Sequence, residues 1–197
     1  MLTSVDTRTR TLDVAIENFG TRGVDSTSLD TIADELGVSK QTVLYHFGSK
    51  DKLLEAAVDH AASELTELIG KRIAAGGWKA VESVVNAVFR VAVRRPALLG
   101  LLREVTRMGP PWSSRAADAL QPAVDRATMF IQQEMDAGRM RPQTDSRLVL
   151  LSAYSTVMGV ATEIEVLRAV GIEPTLREAV TRRRELLRFL KSALVAD

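Results

Sequence analysis

The chain contains no cysteine, which removes disulfides, thiolate metal sites and thiol nucleophiles at once and agrees with a reducing compartment. Histidine is nearly as scarce: His46 and His60 are the two present. Neither belongs to a His-x-x-x-His pair, and no phosphate loop or GxSxG elbow accompanies them. The chain is therefore not expected to be an enzyme, nor to hold a metal or cofactor. No run approaches roughly 18 uninterrupted apolar residues, and the N-terminal MLTSVDTRTRTLD has no apolar signal core. Membrane insertion and export are not expected, and a cytoplasmic location is. Excess charge is missing too, with 26 Lys and Arg against 25 Asp and Glu. Strand-like alternation, internal repeats and low-complexity tracts are also absent. What is present, 46% hydrophobic and 26% charged residues over 197 positions, describes one or two soluble globular domains of all-α class.

The most informative stretch is SLDTIADELGVSKQTVLYHF, Ser28 to Phe47. Leu29, Ile32, Ala33 and Leu36 recur at helical spacing, and Gly37 follows as a C-terminal cap able to turn left-handed. Ser39 then caps a second short helix, with Val38 and Val43 placed as a hydrophobic staple. That second helix carries Lys40, Gln41, Thr42, Tyr45 and His46, hydrogen-bond formers able to reach base edges and phosphates. Two readings fit the spacing alone: a helix-turn-helix whose second helix enters the major groove, or an ordinary helical hairpin with a polar outer face.

A helix over residues 8–23, with Leu12, Ala15, Ile16 and Phe19 on one face, supplies a third wall. Ser49 is placed to cap a long helix striped by Leu53, Leu54, Ala57, Val58, Ala61, Leu65, Leu68 and Ile69. Within residues 1–50 five basic residues face seven acidic ones, so the region is net acidic by two and lacks the basic patch of a non-specific nucleic-acid binder.

LDVAIENFGTRGV, STSLDTIADELGVSK and TVLYHFGSKDKLL, taken in register, resemble the tetracycline-repressor (TetR) family of one-component bacterial transcription regulators. The resemblance runs from about Thr7 to Leu54. It implies an N-terminal three-helix bundle containing the helix-turn-helix at 28–47, in a DNA-binding domain over 5–65. A larger ligand-binding and dimerisation domain over 66–197 follows, with about nine helices in all. It further implies that Thr27 and Ser28 grip phosphate and that Lys40, Gln41 and Thr42, following Ser39, read base edges. Tyr45 and His46 would hold phosphate and sugar, and Lys50 would meet the backbone beside a helix N-terminus. Gln41 is suited to a bidentate pairing with adenine. At Leu44 the family usually has an aromatic; this leucine would touch a thymine methyl or pack inward.

Beyond Ala74 the reading returns to pattern. Ala75-Gly76-Gly77 is a linker, Trp78 opens a helix that Pro96 ends, and another helix runs through Leu98 to Met108. A further helix spans 114–137, with Pro122 kinking it or marking its start. Residues 145–170 form a helix apolar nearly all round, which favours burial against a second subunit. The last helix starts near Pro174 and carries an arginine-rich face. Val149, Ala153, Val157, Val160, Ile164, Leu186 and Leu190 are the expected interface of a homodimer.

By the resemblance, a small, largely apolar effector binds among the C-terminal helices and releases a palindromic, double-stranded DNA operator, which makes the chain a repressor. Candidate ligand contacts are Trp78, Phe89, Met108, Trp112, Phe130, Tyr154 and Met158, with Arg103 and Thr162 as polar anchors; each is equally readable as plain core. The competing reading is an all-α dimeric ligand-binding or interaction protein whose DNA binding is weak or lost.

Overall fold

A computed structural model describes residues 4–142 and 145–195, with side chains from residue 7 onward. Among the described residues there are ten α-helices and no strand, so the class is all-α as expected. In order they are α1 (Ser4–Arg22), α2 (Leu29–Leu36), α3 (Lys40–Phe47), α4 (Lys50–Ile73), α5 (Gly77–Arg94), α6 (Pro96–Arg107), α7 (Trp112–Asp136), α8 (Ser146–Thr162), α9 (Ile164–Ala169) and α10 (Leu176–Leu194). Pro122 sits inside α7 without ending it. The expected single helix over 145–170 is instead two. Glu163 leaves helical geometry at φ −82°, ψ 73°, and the preceding Thr162 hydroxyl donates back to the Met158 carbonyl at 2.8 Å, a bond that competes with regular continuation.

The chain divides into two compact units. The first holds residues 1–65 together with 95–121, so α6 and the start of α7 pack with the N-terminal helices instead of with the rest of 66–197. The cause is a close crossing of α1 and α6. A Cβ built on Gly20 would overlap the Ala97 carbonyl, and one on Gly100 would lie 2.5 Å from the Gly20 carbonyl oxygen. Glycine at both positions lets the two backbones meet. Ile16, Phe19, Ile32, Val43, Leu53, Leu54, Val58, Leu98, Leu101 and Val105 fill the core of this unit.

One end of the crossing is held by charge. Arg95, the residue before α6, donates to Glu64 and reaches Asp13 at 3.4 Å, while His60 Nε2 lies 3.1 Å from Glu64. Asp13, His60 and Glu64 thus bring potential metal-ligand atoms within 4.8 Å of one another, a grouping that sequence spacing did not disclose. The guanidinium already answers the two carboxylates, and a divalent cation would have to displace it.

The second unit holds residues 66–94 and 122–197. Val85 and Phe89 of α5, Val157 of α8, and Leu186 and Leu190 of α10 form its core, with Trp78, Val81 and Val160 packed against them. Three expected interface residues, Val157, Leu186 and Leu190, therefore face inward, because α5 covers the side of α8 and α10 that was expected to meet a partner. Arg182 of α10 donates to the Val160 carbonyl at 2.5 Å, and burial lowers its pKa from the ordinary guanidinium value.

Glu134 is the buried acid of this unit, its side chain 4% exposed. Its carboxylate accepts from Arg139 Nε at 2.7 Å and Nη2 at 2.8 Å, and from the Gly77 amide that begins α5. The Arg139 bonds hold its carboxyl below the ordinary carboxylate range against the opposing effect of burial.

Gly20→Ala should destabilise the chain by about 2 kcal/mol, since the obstructing atoms are backbone. Gly70→Ala would meet only the movable end of Arg126 and should stabilise it by about 0.5–1 kcal/mol through helix propensity. Urea unfolding of both variants tests the opposite signs. For Glu134 the depressed folded-state pKa means its stabilisation is complete above the unfolded value and vanishes as pH falls through the folded one. Glu134→Gln should therefore cost about 1–2 kcal/mol at pH 7, and the gap to the parent protein should close in acid below about pH 4. Thermal melts across that range read it.

Candidate nucleic-acid interface

The turn between α2 and α3 is built entirely from local bonds. Gly37 takes φ 69°, ψ 33°, its amide donates to Asp34 at 3.1 Å, and the Val38 amide donates to Ala33 at 3.0 Å. These two bonds are the Schellman pair, and the left-handed glycine makes them reachable. The Ser28 hydroxyl accepts from the Thr31 amide at 3.0 Å to cap α2, and Ser39 accepts from Thr42 at 3.2 Å to cap α3. Ser49 likewise caps α4 by accepting from Lys52 at 3.1 Å.

Helix α3 buries only Val43 and Phe47, four residues apart on one side. The opposite side presents Lys40, Gln41 and Tyr45, all exposed, with Tyr45 84% exposed. Thr42, Leu44 and His46 lie half-buried along the edges, and Lys50 is half-buried at the first turn of α4. A bare tyrosine and glutamine four apart on a two-turn helix contribute little to the core. They are placed to contact something outside the chain. Arg8 of α1 stacks 5.1 Å from the Phe47 ring and adds a cation beside the same helix, a contribution that sequence spacing missed.

Two expectations need correction. Thr27 does not point outward: it is 1% exposed and its hydroxyl donates to the Gly23 carbonyl at 2.9 Å, closing the loop before α2. Of the Thr27–Ser28 pair, only Ser28 is on the surface. Lys40 is exposed, but its ammonium is bound to Asp30 of α2 at 2.8 Å, with both side chains about half in solvent. Nothing in the sequence pairs residues ten apart on different helices. The turn geometry does, and it gives the reading helix an internal acid that competes for its only lysine.

The acids of α2 are not all directed to the α3 side. Glu35 accepts from Asn18 Nδ2 of α1 at 2.8 Å, and so is directed to the helix behind rather than to the α3 side.

The expected ligand contacts are divided between the two units. Arg103, Met108 and Trp112 belong to the first; Trp78, Phe89, Phe130, Tyr154, Met158 and Thr162 belong to the second. Phe89 is core and Trp78 packs against that core, while Tyr154 is 58% exposed on α8. Of the expected interface residues, Val149, Ala153 and Val160 are half-buried and Ile164 is exposed.

Two short helices joined by a left-handed turn, the second exposing its polar face, define a helix-turn-helix module, here carried on an all-helical chain. Residues 12–57 match the family model described as bacterial regulatory proteins, tetR family. HTH-type transcriptional regulatory protein RaaS of Mycobacterium tuberculosis is 28% identical over 141 residues, 70% of this chain and 61% of that protein. HTH-type transcriptional repressor Rv3405c of the same species is 40% identical over 58 residues, 29% of this chain and 31% of that one. The match thus spans less than two thirds of these relatives' length. The solved SmeT–triclosan complex superposes with a TM-score of 0.69 at 21% identity, over 97% of this chain and 92% of that chain. Residues 12–57 thus carry the helix-turn-helix segment of the tetR family of bacterial regulatory proteins. Among the described residues no helix is long and apolar enough to cross a membrane.

Because Asp30 holds Lys40, Asp30→Asn should free the ammonium and remove a negative charge beside α3. Duplex affinity is expected to rise about two- to tenfold at low salt and the gain to shrink as salt increases. Fluorescence anisotropy with a labelled duplex measures it; an unchanged affinity would mean that the pair does not bear on binding.

Proposed function

We propose that the chain is a homodimeric repressor that holds a palindromic operator and releases it when a small molecule binds its C-terminal helices. The observation that carries the DNA part is the exposed row Lys40, Gln41 and Tyr45 on a helix too short to exist for its own packing. Gln41 presents an amide to the major groove, where it can pair bidentately with adenine, and Lys50 approaches phosphate beside the capped N-terminus of α4. Tyr45 and His46 contact the backbone on either side. Leu44, half-buried at the edge of α3, offers a methyl-sized apolar contact for thymine.

The dimer reading rests on the second unit. Leu148, Leu151, Tyr154 and Phe189 are each 58–61% exposed on α8 and α10, an apolar density that a solvated face seldom carries. Between those helices runs an open hollow of about 360 Å³ floored by Val149, Ala153 and Leu190. A second copy related by a two-fold axis covers both faces with one self-complementary contact. Two modules so paired read half-sites about 34–36 Å apart, or a multiple of that spacing. The effector part draws on likeness alone: SmeT is known in complex with triclosan, a small molecule, and Rv3405c is named a repressor.

The test uses duplexes drawn from the DNA flanking the chain's own gene. The parent protein should prefer one palindrome over random duplex, with an affinity that falls steeply with salt. Gln41→Ala should lower that preference about tenfold, corresponding to loss of one bidentate base contact, while Lys50→Ala should weaken all duplexes alike. Light scattering at micromolar concentration should report a dimer, and Phe189→Glu a monomer. Equal affinity for palindrome and random duplex at low salt would defeat the repressor reading; a monomeric parent protein would defeat the two-fold reading.

A further inference from the structure

Helices α5 and α10 do not close on each other along their whole length. Between them two adjoining hollows of about 230 and 350 Å³ share Asn86, Val180 and Arg183, and together form an open trough. Its floor is apolar, made by Trp78 and Phe89 from α5 and by Leu187 from α10. Its rim is cationic. Arg90 and Arg94 stand on the α5 side, and Arg183 and Lys191 on the α10 side; none of the four has an acidic partner among the described residues. Arg184 and Arg188 also line it, and they share the single Glu185. Glu82 is the one acid in the lining. The Arg183 Nε is buried and makes no hydrogen bond.

Such an arrangement is more specific than a charge run. Buried donors without acceptors are costly, and a guanidinium Nε held out of water beside an apolar floor is unsatisfied until an acceptor arrives. A polyanion with no apolar body would leave the floor wet, whereas a neutral apolar ligand would leave the cations unanswered. The trough is also separate from the face proposed for the dimer. Phe189 follows Leu187 by two residues, about 200° around the helix, and so points away from it.

We propose that the α5–α10 trough binds a small amphipathic anion: an alkyl- or ring-sized apolar body on Trp78, Phe89 and Leu187, with a carboxylate or phosphate group held by Arg183, Arg90 and Arg94. Arginine suits this role because its planar fork meets either oxyanion with two parallel bonds. The inference supplies a ligand class for the effector role proposed above and rests on that reading only for the regulatory consequence. Binding itself needs no DNA.

Isothermal titration of the full chain, without DNA, compares decyl phosphate, decanoate, decanol and decyltrimethylammonium, each below its micelle concentration. Decyl phosphate and decanoate should bind at least tenfold more tightly than decanol, and the cation should not bind. The ratio between the two anions tells a phosphate-preferring from a carboxylate-preferring head site. Arg90→Gln with Arg94→Gln, both at exposed positions that do not threaten folding, should weaken the anions at least fivefold and leave decanol unchanged. Arg183→Gln should do the same, whereas Arg147→Gln with Arg168→Gln, which removes the same charge elsewhere, should change nothing. Equal binding of decanol and decyl phosphate would overturn the proposal, as would equal losses in the two double variants. If Arg90→Gln with Arg94→Gln weakened binding of random duplex instead of the amphiphiles, this face would belong to nucleic acid. Failure in any of these leaves operator binding by the parent protein, and so the repressor reading, untouched.

Discussion

Everything that α3 can do depends on one left-handed residue. An eight-residue helix that buries only Val43 and Phe47 cannot hold itself together in water, because nucleating a helix costs more than two turns return. Its position comes from outside: from Gly37, which lets the chain reverse and satisfies the last carbonyls of α2, and from Ser39, whose hydroxyl accepts from the Thr42 amide in the first turn of α3. Phe47 then anchors the far end under Arg8 of α1. A side chain at position 37 would have to adopt φ near +69°, which L residues resist, and loss of the turn would free the end of α3 from which Gln41 and Tyr45 are aimed.

The electrostatics of the module are set by neighbours rather than by total charge. The N-terminal region is net acidic, yet Glu35 is engaged with Asn18 behind the module, and Asp30 is paired with Lys40. A protein with few free cations on its reading surface has little sequence-independent attraction for DNA. In the proposed dimer, discrimination would then come from base contacts and from two modules acting together, an arrangement that gives up raw affinity and keeps selectivity.

The second unit puts its charges to different use. Arg139 and Arg182 are spent inside it, one on Glu134 and one on the Val160 carbonyl, where they tie helix ends together. Arg90, Arg94 and Arg183 are spent on nothing within the described chain. The arginine-rich run of α10, which reads in sequence as a uniform solvated face, is therefore mixed. Arg182 is structural, Arg188 is paired with Glu185, and Arg183 lines an apolar trough. Helical position separates these roles, since residues one apart diverge by about 100°.

The sequence by itself determined the local structure: the helix-turn-helix, its caps, its left-handed glycine, the all-α class and the polar face of α3. Those features come from bonds and periodicities a few residues long, and a few residues are enough to read them. Tertiary structure decided everything that needed a distant partner. Lys40 met Asp30, ten residues away, because the turn brought two helices to within a hydrogen bond. Residues 95–121 joined the first unit because glycines 80 residues apart, Gly20 and Gly100, permit a close crossing that neither position announces alone. Leu186 and Leu190 pack into the core with α5 because an amphipathic stripe specifies that a face is covered, and only the fold specifies by what.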